Sequence, residues 1–300
     1  MKKIAYGLAA LLTLILLLAA QPGPADGQGQ ANTYAGTDAC KACHADQYAS
    51  YSKAMHAKKD VKGSPANQFG CESCHGAGSG HVEKGGGKGT GMVAFSRKAD
   101  ARDNSSKCLS CHEESKQLAF WDNGRHKSAG VSCPDCHSAH GNAEKMLKSS
   151  QPDLCYGCHK DIRMMSNRQS HHPVKEGKMK CTDCHDPHGG FGDKMVKADS
   201  VNELCFRCHA EKRGPFRTEH QPVAENCLNC HNSHGSNHRA LLVSKPPQLC
   251  QECHGSGGHR GRAYTRQSTF KGSDPQIQMY GRACLNCHTN IHGSSAELLR

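Results

Sequence analysis

The apolar residues of this chain are concentrated at its start. Lys2 and Lys3 precede an unbroken apolar run from Ile4 to Ala20, which is short for a spanning helix, and no later segment approaches the roughly 20 apolar residues that a membrane helix needs. Basic residues at the N-terminus, a short apolar run and small residues at the cleavage site are typical of a secretory signal peptide. We predict a signal peptide over residues 1–20, with cleavage as late as residue 25 as a variant, and a linker over 21–39. A retained N-terminal anchor is the alternative.

After this segment, neither the helical nor the strand period persists along the chain. The segments that enter the cysteine motifs described below, such as 152–159 and 201–212, are predicted as short helices. Glycines, prolines and short spacers interrupt the rest, and residues 76–91 are predicted as a loop. The pattern therefore predicts mostly coil with short α-helices and little or no β-sheet.

The composition excludes an ordinary apolar core. Only 36% of the 300 residues are hydrophobic, 5% are aromatic, and the mean hydropathy is −0.71. Such values lie towards the disordered side of soluble proteins, yet 20 cysteines and 22 histidines do not belong to a disordered tail. A globular enzyme with a Leu/Ile/Val interior is therefore excluded, and we expect something other than side chains to supply the core.

All 20 cysteines belong to ten C-x-x-C-H motifs, with none left over. This motif is the attachment site of c-type haem: the two thiols form thioethers, and the histidine is the proximal iron ligand. The predicted attachment cysteines are Cys40, Cys43, Cys71, Cys74, Cys108, Cys111, Cys133, Cys136, Cys155, Cys158, Cys181, Cys184, Cys205, Cys208, Cys227, Cys230, Cys250, Cys253, Cys284 and Cys287. The predicted proximal ligands are His44, His75, His112, His137, His159, His185, His209, His231, His254 and His288.

Three other uses of paired cysteines explain the pattern less well. A disulfide framework or a zinc ribbon does not require a histidine after every second cysteine. Thioredoxin-like motifs occur singly beside a βαβ pattern, which is absent here. We therefore predict ten covalently attached haems of type c as cofactors, forming a linear array around which the short helices and coil are wrapped.

The haems also account for the charge. The formal net charge is +11, and removing Lys2 and Lys3 leaves +9. A ferric haem with two ionised propionates and neutral axial ligands carries −1, so ten of them bring the total to about −1. We interpret the lysines and arginines as partners of the haem propionates. A basic docking patch is the less favoured interpretation. Nucleic acid is not expected as a partner of an exported chain that lacks a basic block interleaved with aromatics.

Twelve histidines remain for the second axial positions, and internal repeats select among them. Segments 133–155, 181–205 and 227–250 each have a histidine three residues after the motif histidine, and a glycine follows it directly. A second repeated position lies upstream of the even-numbered motifs, where matching HHPV with HQPV selects His171 rather than His172. The predicted distal set is His56, His81, His126, His140, His171, His188, His220, His234, His259 and His292.

A distal histidine so close to a proximal one cannot serve the same iron, because three residues span only about 10 Å. His140, His188 and His234 must therefore serve neighbouring haems. Methionine at one iron stays open as an alternative, since Met146 and Met195 recur in matching positions, although packing is the favoured interpretation for both.

Residues 40–300 are predicted to form one decahaem domain of five tandem two-haem units. The units cover about 40–107, 108–154, 155–204, 205–249 and 250–300. The outer units are less regular than the central ones.

Ten such motifs in 300 residues, an apolar leader without a following cysteine for a lipid anchor, and the segments CTDCHDPHGG and CPDCHSAHGN resemble the decahaem MtrA/DmsE family. The resemblance covers essentially the whole chain after the leader. It implies a periplasmic bis-histidine haem wire, associated with the outer membrane through a large β-barrel porin. Further implied partners are periplasmic or inner-membrane donor cytochromes and an outer-surface multihaem cytochrome or reductase.

Three functions remain open at this stage. The first is an electron conduit between periplasm and cell exterior, and the second is a soluble periplasmic shuttle to a terminal reductase. The third is a multihaem oxidoreductase, which needs a vacant iron position. Because the histidines are numerous enough to cover every iron, we expect no enzyme and no catalytic residues.

Overall fold

A computed structural model describes residues 32–87, 90–254, 284–286 and 288–296 of the protein. The predicted signal peptide and His259 lie outside these ranges. Within them, the chain consists of short helices joined by turns and coil. The α-helices are Thr37–Cys43, Ala45–Tyr51, Glu72–His75, Ser79–Glu83, Ala101–His112, Arg125–Ser128, Cys133–Cys136, Asp153–Tyr156, Lys160–Ser166, Cys181–Cys184, Val201–Phe206, Gln221–Glu225 and Gln248–Gln251.

Between these lie single turns of 3₁₀-helix, at Met55–Ala57, Pro65–Asn67, Lys116–Leu118, Trp121–Asn123, Glu144–Met146, Asp193–Met195, Ala210–Lys212, Cys227–Asn229, Arg239–Leu241 and Cys284–Asn286. No strand occurs in the described ranges, which contain only isolated antiparallel bridges. The prediction of short helices in coil is therefore confirmed. It was wrong in detail at 76–91, where Ser79–Glu83 is helical.

Side chains provide almost no apolar core. Among the described residues only Ala54, Trp121 and Tyr156 are buried hydrophobic residues. More polar than apolar side chains are buried, and they bind backbone groups; Asn202, for example, donates to the carbonyls of Val223 and Ala224 and accepts from Cys227 N. A chain of this size held together by so little apolar contact needs another apolar component.

No helix in the described part of the chain has the length and apolar character required to cross a membrane.

Candidate haem-binding sites

We number the ten C-x-x-C-H motifs 1 to 10 in chain order and call the residues around each one a site. At odd-numbered sites the cysteines lie in or beside a helix, as in Thr37–Cys43, Ala101–His112 and Val201–Phe206. The proximal histidine then ends or follows that helix. His44, His112, His159, His209 and His254 are all exposed.

At three even-numbered sites the proximal histidine is held by a tight backbone turn. His137, His185 and His231 form bridges with Leu147, Val196 and Leu242. Their Nδ1 atoms lie 3.0, 3.0 and 2.7 Å from the carbonyl oxygens of Lys145, Lys194 and Ala240. An Nδ1–H that donates to a carbonyl leaves Nε2 unprotonated, which is the form of the ring that binds a metal.

The acceptors of these bonds belong to a left-handed turn. Lys194 and Met195 have φ of 54° and 58°, and the matching pairs 145–146 and 240–241 have nearly the same values. The next carbonyl in the turn, that of Met195, accepts from Asp186 N at 2.8 Å. The recurrence of Met146 and Met195 therefore reflects a repeated backbone turn, in which the third repeat has Leu241.

Histidines from different parts of the chain face each other across gaps of one size. Nine pairs have ring centres 5.9–6.3 Å apart: His44 with His81, His56 with His112, His75 with His140, His126 with His159, His137 with His188, His172 with His209, His185 with His234, His220 with His254, and His231 with His292. Each pair joins one motif histidine to one histidine outside the motifs.

This spacing fits a haem iron. Two imidazoles bound to one metal through Nε2 from opposite sides have ring centres about 6 Å apart, because each metal–nitrogen bond is about 2 Å long. In every pair, the histidine that follows a C-x-x-C would hold the iron of an attached haem from one side and its partner would hold it from the other.

Burial favours the neutral imidazole at several distal positions. Desolvation lowers the pKa of the distal histidines of sites 2, 3, 4, 6 and 8, and the facing proximal histidine lowers it further; these residues are His140, His56, His188, His234 and His292. Only the neutral ring has a lone pair for a metal.

The structure corrects the prediction at one distal position. His172, not His171, faces His209, with its Nδ1 2.8 Å from Ser233 O. His171 points elsewhere and binds Glu176 at 3.1 Å, which raises the pKa of His171.

The error came from the register of the alignment. Ser170 forms a bridge with Ser236, and Thr218 forms the same bridge with Ser294. The distal histidine follows two residues after the bridging residue in both cases, as His172 and His220. The match of HHPV with HQPV concealed this register, in which His171 is equivalent to Glu219.

The cysteines of consecutive motifs lie close to one another, in the order of the sequence. The first cysteine of each odd motif lies against the first cysteine of the next even motif, in the pairs Cys40–Cys71, Cys108–Cys133, Cys155–Cys181, Cys205–Cys227 and Cys250–Cys284. The second cysteine of each even motif lies near the second cysteine of the next odd motif, in the pairs Cys74–Cys111, Cys136–Cys158, Cys184–Cys208 and Cys230–Cys253. Consecutive sites are therefore neighbours in space from 1 to 10.

All described cysteines are free, so a disulfide framework is not formed in this part of the chain. The described residues also contain no cluster of three or more His, Cys, Asp or Glu side chains arranged around a metal ion, as a zinc ribbon would require. His259 and Cys287 lie outside the described residues. His288 is described and has contacts of its own.

Sequence reasoning missed a buried carboxylate. Glu72 lies inside motif 2, is 2% exposed, and accepts hydrogen bonds at 2.8 Å from the backbone N–H groups of Ala35, Gly36 and Gly78. It joins the chain before site 1 to the segment that follows motif 2. No repeat signals this role, because the other motifs have different residues at this position.

Comparison with known families agrees with this geometry. A family described as "doubled CXXCH motif" matches residues 126–164, 171–214 and 220–259, and the family "cytochrome c554 and c-prime" matches residues 39–68. The doubled segments each join an even motif to the next odd motif. The facing histidines and these matches define a multihaem c-type cytochrome: an electron-transfer protein that binds haem c.

Similarity to individual proteins shows which family of multihaem cytochromes the chain belongs to. The chain is 40% identical over 267 residues to the multiheme cytochrome MtrA of Shewanella baltica, covering 87% of this chain and 79% of that protein. It therefore belongs to the MtrA family of multihaem cytochromes, as the resemblance predicted. It is also 26% identical to the polyheme cytochrome OmcB of Geobacter sulfurreducens, over 71% of this chain but 27% of OmcB. The cytochrome c-type protein NrfB of Escherichia coli is 30% identical over 43% of this chain and 68% of NrfB.

Proposed function

We propose that the protein is a ten-haem electron wire that connects the periplasm with the cell exterior inside a large outer-membrane β-barrel. The observation that carries this proposal is the unbroken succession of the ten sites, in which each motif adjoins the next. Haem iron supplies a one-electron Fe(III)/Fe(II) couple when bound. The chain's own contribution is to attach, orient and cover each group.

Two histidines are available for every iron, which favours transfer over catalysis. Nine sites have a facing pair, and we propose His259 as the distal partner of His288 at site 10. An oxidoreductase needs an iron position open to its substrate, and the paired histidines would occupy those positions at nine sites once haem is bound. We therefore propose that the protein is not an enzyme and has no catalytic residues.

Location and partners follow from the family and from the predicted signal peptide. We propose a periplasmic protein that is held at the outer membrane by the barrel. Periplasmic or inner-membrane cytochromes would exchange electrons at one end, and an outer-surface multihaem cytochrome or reductase at the other. A row of ten sites leaves enough length to cross the apolar band of a barrel, about 25 Å tall.

The test begins with outer membranes of the native host, solubilised gently. We expect the cytochrome to co-purify with a large β-barrel, and the complex in liposomes to reduce an acceptor sealed inside from a donor outside. The His172→Ala variant removes one ligand in the interior of the row and should slow this transfer, whereas the neighbouring His171→Ala variant should not. A haem-loaded protein found only in the soluble periplasm would contradict the proposal and leave a shuttle.

A further inference from the structure

The distal histidine of site 1 lies on a short helix that is followed by a glycine-rich turn. His81 belongs to the helix Ser79–Glu83, and the backbone N–H of Gly86 returns to donate to its carbonyl at 2.8 Å. Gly85, Gly86 and Gly87 all have positive φ, which lets the chain turn sharply beside the imidazole. Thr90 also lies at the ring, with Oγ1 2.6 Å from His81 Nδ1.

The direction of this hydrogen bond follows from the second bond of the hydroxyl. Thr90 Oγ1 donates its single proton to Gly87 O at 2.8 Å. The hydroxyl can therefore only accept from the imidazole, so Nδ1 carries the ring proton and Nε2 is bare. The ring centre lies 6.2 Å from that of His44, with the two planes 21° apart. Thr90 thus fixes both the protonation pattern and the orientation of the distal ring.

Site 1 differs in this respect from the other odd sites. His126 and His172 have backbone carbonyls as Nδ1 acceptors, those of Pro187 and Ser233, both at 2.8 Å. The Nδ1 atoms of His56 and His220 are buried without a partner. Among the distal histidines that the structure describes, His81 is the one whose Nδ1 acceptor is a side-chain hydroxyl, which a single substitution can remove.

We propose that Thr90 is a positioning residue that tunes the reduction potential of site 1. An acceptor on the outer nitrogen of a metal-bound imidazole makes the ring a stronger electron donor. A stronger donor stabilises Fe(III) relative to Fe(II) and lowers the potential. This inference rests on the proposed function only in that site 1 is the N-terminal end of the electron-carrying row.

The test compares purified haem-loaded proteins without any barrel, by redox titration followed in the visible and electron paramagnetic resonance spectra. The His81→Met variant first identifies the signal of site 1, since it changes one ligand of that site. In the Thr90→Val variant, that same component should move to higher potential while all haems stay low-spin. The Thr90→Ser variant should return it towards the original value.

Thr33→Val is the matched control, because Thr33 is an exposed threonine that packs beside the same helix, and its backbone rather than its hydroxyl holds Ser79. A Thr90→Val titration that coincides with that of the unmodified protein would overturn the proposal. A high-spin haem in that variant would also overturn it, because Thr90 would then only hold His81 in place. Neither result bears on the conduit, which the liposome experiment tests separately.

Discussion

Odd and even sites use the same five-residue motif in two different ways. At the even sites 2, 4, 6 and 8 the proximal imidazole is partly buried and its Nδ1 lies within hydrogen-bonding distance of a carbonyl oxygen. At the odd sites 1, 5 and 7 the proximal ring is exposed, and the distal ring has the acceptor. At these seven sites the chain therefore anchors at least one imidazole of the pair through its Nδ1.

The two exceptions are odd sites 3 and 9. His56 at site 3 and His220 at site 9 have buried Nδ1 atoms without a partner. In the central repeats the corresponding acceptor is the carbonyl just before a distal histidine, as with Pro187 before His188. Anchoring does not simply follow the regularity of the repeats, because site 1 in the irregular first unit has an acceptor and His220 in an aligned repeat has none.

The largest expected effect separates two adjacent histidines at odd site 7. His172→Ala should leave His209 without a facing imidazole, so one haem should become high-spin and bind added imidazole or cyanide. His171→Ala should leave all haems low-spin, because His171 binds Glu176 instead. Electronic and electron paramagnetic resonance spectra of the two purified variants give the measurement. The reverse outcome would restore the alignment that selected His171.

A smaller effect is expected from the glycine that follows a distal histidine. Gly189 has φ of 121°, and a Cβ there would overlap the carbonyl oxygen of Phe120. We expect Gly189→Ala to lower the free energy of unfolding by about 1–3 kcal/mol, measured by denaturant titration. Gly141 has the same place in its repeat but ordinary φ, and its Cβ would meet Ser138 O at 3.6 Å. Equal losses in Gly141→Ala and Gly189→Ala would contradict this explanation.

Glu72 offers a test of how an outer even site is held. Glu72→Gln removes the charge from three hydrogen bonds and turns an amide N–H₂ towards N–H donors. We expect a loss of about 1.5–3 kcal/mol, seen as faster hydrogen exchange at the amides of Ala35, Gly36 and Gly78. The exposed Glu83 of the same unit provides the control, as Glu83→Gln. Unchanged exchange at all three amides would show that the carboxylate is dispensable.

The smallest expected change in stability comes from glycine substitutions, which compare the backbone conformation of an even site with that of an odd site. Lys194 occupies the left-handed turn of an even site, with φ of 54°, so Lys194→Gly should relieve strain and be neutral or stabilising by up to about 1 kcal/mol. Lys107 lies inside the helix Ala101–His112 of odd site 3, where Lys107→Gly should cost about 1 kcal/mol. Thermal unfolding of the two variants is the measurement. The same sign in both would mean that the turn at Lys194 is not strained.

Most of the haem-binding residues could be predicted from the sequence, because the attachment motif is formed by residues that are adjacent along the chain. The cysteine motifs lie within five residues, and the low apolar content predicted the absence of a side-chain core. The distal histidines were readable where a repeat aligned them, as for His140, His188 and His234. All three face a histidine two motifs earlier; the limit on chain reach excluded their own iron but did not predict that consecutive motifs would be skipped.

The remainder depends on contacts that the sequence does not encode locally. The choice between His171 and His172 depends on a bridge between Ser170 and Ser236, which are far apart along the chain. Thr90 and Glu72 act through single hydrogen-bond networks without a sister copy. The pairing of distal and proximal histidines likewise required the three-dimensional arrangement, since several distal residues were equally compatible with several irons.

The crossed pairing of histidines also imposes an order in time. If the chain is exported N-terminus first, as the proposed signal peptide implies, odd sites 3, 5, 7 and 9 meet a distal histidine that precedes their own motif. Even sites 2, 4, 6 and 8 wait for a histidine that follows the next even motif. A partly exported chain would therefore lack distal histidines mainly at the even sites. At sites 4, 6 and 8 the tight turn lies just after the motif, so it can fix the proximal ring before the distal histidine has arrived.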